Sequence, residues 1–146
     1  MERQMKRYWQ IYIHLVWGTK ARSHILRGPV EMSVHKAIRE EARAMELVPV
    51  CVNSAWNHTH VLLSWNPALS MDGVVERLKD AADASISANE RVPLQVRELK
   101  PRWQEGYAGF SVSPGSVERI KQYIRKQKEL HRTDDTIPRY EMWCAL

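Results

Sequence analysis

The order in which strand and helix patterns follow one another constrains the fold of this chain more than any other feature. Residues 8–17 alternate with period two, which predicts a half-buried strand. Apolar residues recur at helical spacing over 30–45 and about 71–87, and Ser70 is typical of an N-cap for the second helix. Three further strands are predicted, over 47–52, 58–65 and 110–113.

This order, β-α-β-β-α-β-α, predicts an α+β fold. Four strands would form a ferredoxin-like (RRM-like) antiparallel sheet with helices on one face. A last helix, over about 116–131, is an addition to that plan, and Pro138 is predicted to end the regular structure. Because 146 residues are typical of one domain, we expect a single domain, 1–146, with its core at about 8–132 and a short tail at 133–146.

Composition and charge exclude several classes of protein. Hydrophobic residues make up 44% of the chain and charged residues 27%, which excludes a disordered or fibrous chain. The sequence has no signal-peptide pattern and no apolar run near the ~18 residues of a membrane span, so we expect a cytoplasmic protein without a membrane partner. The net charge of +5 is concentrated in residues 1–27 and 114–132. Such segments are typical of nucleic-acid binding, although solvated surface charge is the simpler alternative.

Two histidines are the strongest local signal. His58 and His60 are separated by one residue in a predicted strand, so their side chains project from the same face. Two neighbouring imidazoles can chelate a divalent cation. The alternative is that both only line a face of the sheet.

A polar stripe on the last predicted helix is the second signal. Tyr123, Gln127 and His131 recur every four residues, which places them on one side of that helix. Taken alone, a tyrosine on an amphipathic helix is more often a packing residue than a nucleophile.

Four segments together resemble one protein family, and they occur in that family's order over about residues 8–132. The segments are Tyr12–Lys20, His58-Thr59-His60, Trp103–Ser113, and Tyr123–Gln127 with His131-Arg132. They are similar to the single-tyrosine branch of the HUH endonucleases. This family comprises small transposases of insertion sequences that move as single-stranded DNA, and relatives associated with repetitive extragenic palindromes.

The resemblance implies an enzyme that cleaves and rejoins single-stranded DNA at hairpin-bearing ends through a 5′-phosphotyrosine intermediate. Tyr123 would be the nucleophile, and His58, His60 and Gln127 would hold one Mg²⁺ or Mn²⁺. The cation would polarise the scissile phosphate and lower the cost of ionising a tyrosine, whose pKa is near 10. The resemblance also implies a homodimer in which Tyr123 can complete the partner's site.

Three departures from the family pattern leave altered metal preference or reduced activity open. Thr59, Lys126 and Leu130 replace the family's usual residues, but none of them is one of the four core positions. Other functions also stay open. They are a domesticated, non-cutting relative that binds hairpin DNA or RNA, an unrelated ferredoxin-like RNA-binding module, and a metal-dependent hydrolase of small substrates.

Contacts to DNA beyond the core positions are predicted from charge alone. The candidate phosphate contacts are Lys20, Arg22, Lys79, Arg125 and Lys128. Each of them is equally well explained as a solvated surface charge. The histidine of the first predicted strand, His14, is assigned no role.

Overall fold

A four-stranded antiparallel sheet organises the fold, and a computed structural model describes residues 6–146. The strands are, in chain order, β1 (Tyr12–Gly18), β2 (Val48–Ser54), β3 (His58–Ser64) and β4 (Ala108–Val112). They lie in the order β2-β3-β1-β4, and every neighbouring pair is antiparallel. The predicted ferredoxin-like α+β fold is confirmed. Of the basic residues in segment 1–27, Arg3 lies outside the described residues.

Two long helices, α1 (Gly28–Ala44) and α2 (Met71–Ala88), pack together on one face of the sheet. The side chains of β1 that are buried in this layer are Ile13, Leu15 and Trp17. The predicted N-cap is confirmed, because the Ser70 hydroxyl accepts a hydrogen bond from the Gly73 amide at 3.1 Å. No helix within residues 6–146 is both long enough and apolar enough to cross a membrane.

A buried arginine holds the long connection between α2 and β4, which contains one short helix, α3 (Leu94–Arg97). The Arg102 guanidinium is almost fully buried. It donates to the Val96 carbonyl at 3.1 Å, to the Asp83 carboxylate at 3.2 Å and to the Ser87 hydroxyl at 2.9 Å. Because a buried charge is stable only when it is paired and hydrogen-bonded, these contacts anchor the connection to α2.

The opposite face of the sheet is covered by two shorter helices, α4 (Val117–Arg125) and α5 (Gln127–Thr133). A second, smaller core forms beneath α4. Its buried members are Leu62, Val112, Ile120, Tyr123, Ile124 and Tyr140. The sheet therefore separates an apolar layer from a layer that contains the tyrosine and the two histidines.

The helix predicted over 116–131 is interrupted at Lys126, whose backbone leaves the helical conformation. The cause lies in β2. The Asn53 amide donates to the carbonyls of Ile124 at 2.9 Å and Arg125 at 3.1 Å, so these oxygens are engaged by another element at the point where the helix ends. A contact of this kind leaves no signal in the helix's own sequence.

The predicted tail is not a tail. Pro138–Ala145 forms 3₁₀-helical turns that pack back against β1 and β4, so the prediction that Pro138 ends the regular structure is wrong. Tyr140 and Trp143 are buried in this packing. Burial of large aromatic side chains is the physical reason, since each contributes about 1.5–3 kcal/mol. We call Pro138–Ala145 the C-terminal segment.

Candidate active site

The two histidines of β3 lie side by side on the face covered by α4 and α5. His60 is opposite Val16 of β1, and His58 is opposite Gly18 at the end of the same strand. Both imidazoles are fully buried. The shared face that the sequence predicts is therefore present, and it is closed to solvent.

The tyrosine and glutamine of the polar stripe reach these histidines from α4 and α5. The Gln127 side-chain oxygen lies 3.2 Å from His58 Nε2 and 3.1 Å from His131 Nε2. The Tyr123 ring stands edge-on to His60 with 5.9 Å between ring centroids. The structure thus brings together the four predicted core residues, and it adds His131 to them.

A sixth residue, which sequence reasoning missed, places an acidic group at the centre of this cluster. Glu141 of the C-terminal segment accepts a hydrogen bond from the Tyr123 hydroxyl at 2.6 Å. The oxygen that accepts this bond, Oε1, also lies 3.4 Å from His131 Nε2 and 3.7 Å from His60 Nε2. The other carboxylate oxygen, Oε2, lies 3.0 Å from His58 Nε2. The sequence offered one signal for this residue: Glu141 stands close to large aromatic residues, which are usually buried.

The protonation states follow from burial and from these contacts. Burial lowers the pKa of His58 and lowers that of His60 well below its usual value, which keeps both imidazoles neutral at pH 7. Burial and the hydrogen bond to Glu141 raise the pKa of Tyr123, so its hydroxyl stays protonated. Burial acts to raise the pKa of Glu141, but its contacts with His131 and His58 outweigh burial and hold that pKa below the usual range.

The donor set fits a divalent cation. His60 Nε2 is a buried polar atom with no hydrogen-bond partner among residues 6–146, which is the situation of a ligand without its metal. Ligand atoms of His58, His131 and Glu141 lie within 4.8 Å of one another. Neutral imidazole nitrogens combined with amide and carboxylate oxygens suit Mn²⁺, and the oxygens suit Mg²⁺.

Another histidine lies behind the cluster. His14 of β1 is fully buried, and its Nε2 is 2.8 Å from His60 Nδ1. The two rings are stacked, with 5.1 Å between centroids. The Asn57 side-chain oxygen occupies the corresponding position beside His58, 2.8 Å from its Nδ1.

The C-terminal segment covers the cluster. The Trp143 indole stacks on His58 with 4.5 Å between ring centroids and donates to the Glu141 carboxylate at 3.1 Å. It fits closely against Gly18, where a Cβ atom would lie 2.3 Å from the indole. Tyr123 is 7% exposed as a result. The hydroxyl is therefore closed to a large substrate while the segment stays in this position.

The five predicted phosphate contacts lie in different surroundings. Lys20 and Arg125 are exposed. Lys128 donates to Glu31 at 2.8 Å and to the Ser54 carbonyl at 2.9 Å. The other two donate to backbone carbonyl oxygens. Lys79 donates to the carbonyls of Gln104 and Gly106, and Arg22 donates to the carbonyl of Cys144. Three of the five basic side chains therefore hold parts of the fold together.

Comparison with known proteins gives consistent matches. A family model described as "Transposase IS200 like" matches residues 7–127. The curated ISDra2 transposase TnpA of Deinococcus radiodurans is 26% identical over 127 residues, which are 83% of this chain and 86% of that protein. A solved structure of a D. radiodurans protein assigned as a transposase is 25% identical, with a TM-score of 0.65 over 88% of this chain and 98% of that chain. A REP-associated tyrosine transposase solved bound to a REP hairpin is similar in fold, with a TM-score of 0.63, 13% identity and coverage of 90% of this chain and 74% of that one.

Proposed function

The chain belongs to the IS200-like family of single-tyrosine transposases, and from that premise we propose that it cleaves and rejoins single-stranded DNA at hairpin-bearing ends. Tyr123 is the nucleophile in this proposal, and Mg²⁺ or Mn²⁺ is the cofactor, held by His58, His60 and Gln127. One observation carries the proposal. The Tyr123 hydroxyl and His58 Nε2 contact the same carboxylate, so the nucleophile and the proposed ligands converge on one point.

Cleavage exchanges one phosphoester bond for another. The Tyr123 oxygen attacks the phosphorus and loses its proton, the bond from phosphorus to the 3′-oxygen breaks, and that oxygen takes up a proton. The products are a 5′-phosphotyrosine and a 3′-hydroxyl, and attack by a different 3′-hydroxyl reverses the step and rejoins the strand. A cation bound by the two histidines and Gln127 supplies charge stabilisation to the phosphate oxygens.

The neutral state of the two imidazoles supports this role, since metal coordination needs their lone pairs. The raised pKa of Tyr123 describes the closed site, in which the phenol is buried against the Glu141 carboxylate. That carboxylate is an anion held by imidazoles and a phenol, at the point where the anionic scissile phosphate has to lie. Reaction therefore requires the C-terminal segment to move away first.

The partner proposed for this chain is hairpin-bearing single-stranded DNA. The exposed Lys20 and Arg125 offer it phosphate contacts, and the REP-associated relative of similar fold was solved with such a hairpin. The predicted homodimer stays a prediction, as does the extent of the single domain. One chain already brings Tyr123 to its own His60.

The test is covalent trapping. Purified protein is incubated with labelled single-stranded hairpin DNA from the regions flanking its gene, with and without Mg²⁺ or Mn²⁺, and resolved on a denaturing gel. We expect a metal-dependent adduct that is absent in Tyr123→Phe and present in Tyr107→Phe, a control whose hydroxyl contacts Asp72 instead.

Each other outcome has a definite meaning. An adduct that persists in Tyr123→Phe would show that the nucleophile is a different residue. DNA that binds tightly but never forms an adduct with either metal would favour a domesticated hairpin-binding protein over a transposase.

A further inference from the structure

His14 has no part in the chemistry proposed above, yet it lies in close polar contact with a proposed metal ligand. Its Nε2 lies 2.8 Å from Nδ1 of His60. It is fully buried and packs against the rings of Phe110 and Tyr140, with centroid distances of 5.6 Å and 5.1 Å. The pair is thus fixed both by packing and by a hydrogen bond.

The tautomer of the ligand decides what this contact does. A neutral imidazole that offers Nε2 to a metal carries its proton on Nδ1. In a buried site that N–H needs an acceptor, and His14 Nε2 is the atom in place to accept it. The other ring nitrogen of His60, Nε2, faces the cluster and has no hydrogen-bond partner among residues 6–146.

We propose that His14 is a positioning residue, whose Nε2 accepts the Nδ1–H of His60 and thereby holds the His60 Nε2 lone pair toward the cation. This inference rests on the proposed function, because it concerns the same metal site. The other ligand has the matching arrangement: the Asn57 oxygen lies 2.8 Å from His58 Nδ1. Partners of this kind fix the orientation and basicity of histidine ligands in metal sites.

The energetic cost of burying the His14 imidazole supports a role for this residue beyond packing. His14 Nδ1 is buried and has no hydrogen-bond partner within residues 6–146. An unpaired buried polar group costs about 1–3 kcal/mol. A phenylalanine would pack against Phe110 and Tyr140 without an unpaired nitrogen of its own, but it would leave the buried His60 Nδ1–H without an acceptor, so the imidazole is explained by the hydrogen bond to His60.

The test measures Mn²⁺ affinity directly, from the electron paramagnetic resonance signal of free Mn²⁺ in titrations of the full chain without DNA. His14→Phe keeps an aromatic ring and removes the acceptor, whereas His14→Gln keeps an acceptor oxygen at a similar reach. We expect His14→Phe to weaken Mn²⁺ binding by about 10–100-fold. His14→Gln should retain most of the wild-type affinity, and thermal unfolding of both variants checks that each of them is folded.

Wild-type affinity in His14→Phe would overturn the inference and leave the transposase proposal intact. Equal weakening in His14→Phe and His14→Gln would also overturn it, because shape would then matter and the acceptor would not. A wild-type protein that binds no Mn²⁺ would overturn the metal site itself, and this inference with it.

Discussion

Replacing Trp143 by alanine should release the C-terminal segment from the active site. The indole is 4% exposed, stacks on His58, packs against Gly18 and donates a hydrogen bond to Glu141. Because it belongs to a terminal segment rather than to the sheet, its loss should weaken the docking of that segment and leave the rest of the fold in place.

The magnitude follows from the contacts that are lost. Truncation of a buried tryptophan to alanine costs about 3–5 kcal/mol. The stacking and the hydrogen bond to a carboxylate account for a large part of this, at about 0.5–1.5 and 1.5–3 kcal/mol. Since every 1.4 kcal/mol is tenfold, the ratio of docked to undocked segment should fall by about 100- to 4,000-fold.

Amide hydrogen exchange measures this ratio without DNA. The Ile137 amide donates to the Tyr123 hydroxyl at 3.1 Å, so its protection reports docking. In Trp143→Ala this amide should exchange at least about 100-fold faster, while the amides of β3 keep their protection. The matched control is Met142→Ala, because Met142 is 52% exposed on the same segment and should have no effect. The covalent adduct with hairpin DNA should also form faster in Trp143→Ala.

The reasoning would be refuted by unchanged exchange at Ile137 in a folded Trp143→Ala protein. Equal acceleration at Ile137 and in β3 would mean that the whole fold, and not the segment, had been weakened. Faster exchange without faster adduct formation would show that the segment does not limit access to Tyr123.

Three further predictions concern pH and charge. Burial lowers the pKa of His14 to about 4, so below pH 6.5 the unfolded chain binds a proton at this residue that the folded chain does not. His14 alone should therefore lower stability by about 1.4 kcal/mol per pH unit as the pH drops from 6.5 toward 4, in addition to the contributions of the other buried histidines. Urea midpoints across this range should show it, with a shallower slope in His14→Phe. Arg125→Ala should leave the melting temperature unchanged and reduce the salt slope of hairpin binding by about 1. Lys128→Ala should instead lower stability by about 1 kcal/mol, because it removes the contacts to Glu31 and Ser54; unaltered thermal unfolding would contradict this.

The faces of the sheet could be predicted from the sequence because a strand has a period of two. Once His58 was placed on a strand, His60 had to share its face, and the spacing of Tyr123 and Gln127 had to place them on one side of a helix. These are local relations, and the structure retains them even though the helix is interrupted at Lys126.

The missed features depend on contacts between distant parts of the chain. Glu141 lies in 3₁₀-helical turns that have no repeating pattern, and it reaches His58 across more than 80 positions of sequence. The interruption at Lys126 depends on Asn53 in another element. The aromatic residues around Glu141 indicate burial, but nothing near either residue in the sequence identifies the partner that it contacts.

The alternation of the central strands also limits how this chain can change length. In β1 and β3 the odd-numbered residues Ile13, Leu15, Val61 and Leu63 belong to the apolar layer, and the even-numbered His14, His58 and His60 belong to the site. Inserting or deleting one residue in either strand would turn every later side chain of that strand to the opposite face of the sheet. Such a change would move apolar side chains out of the core and histidines out of the site at the same time. We therefore expect relatives to differ in length in the loops and not in these two strands.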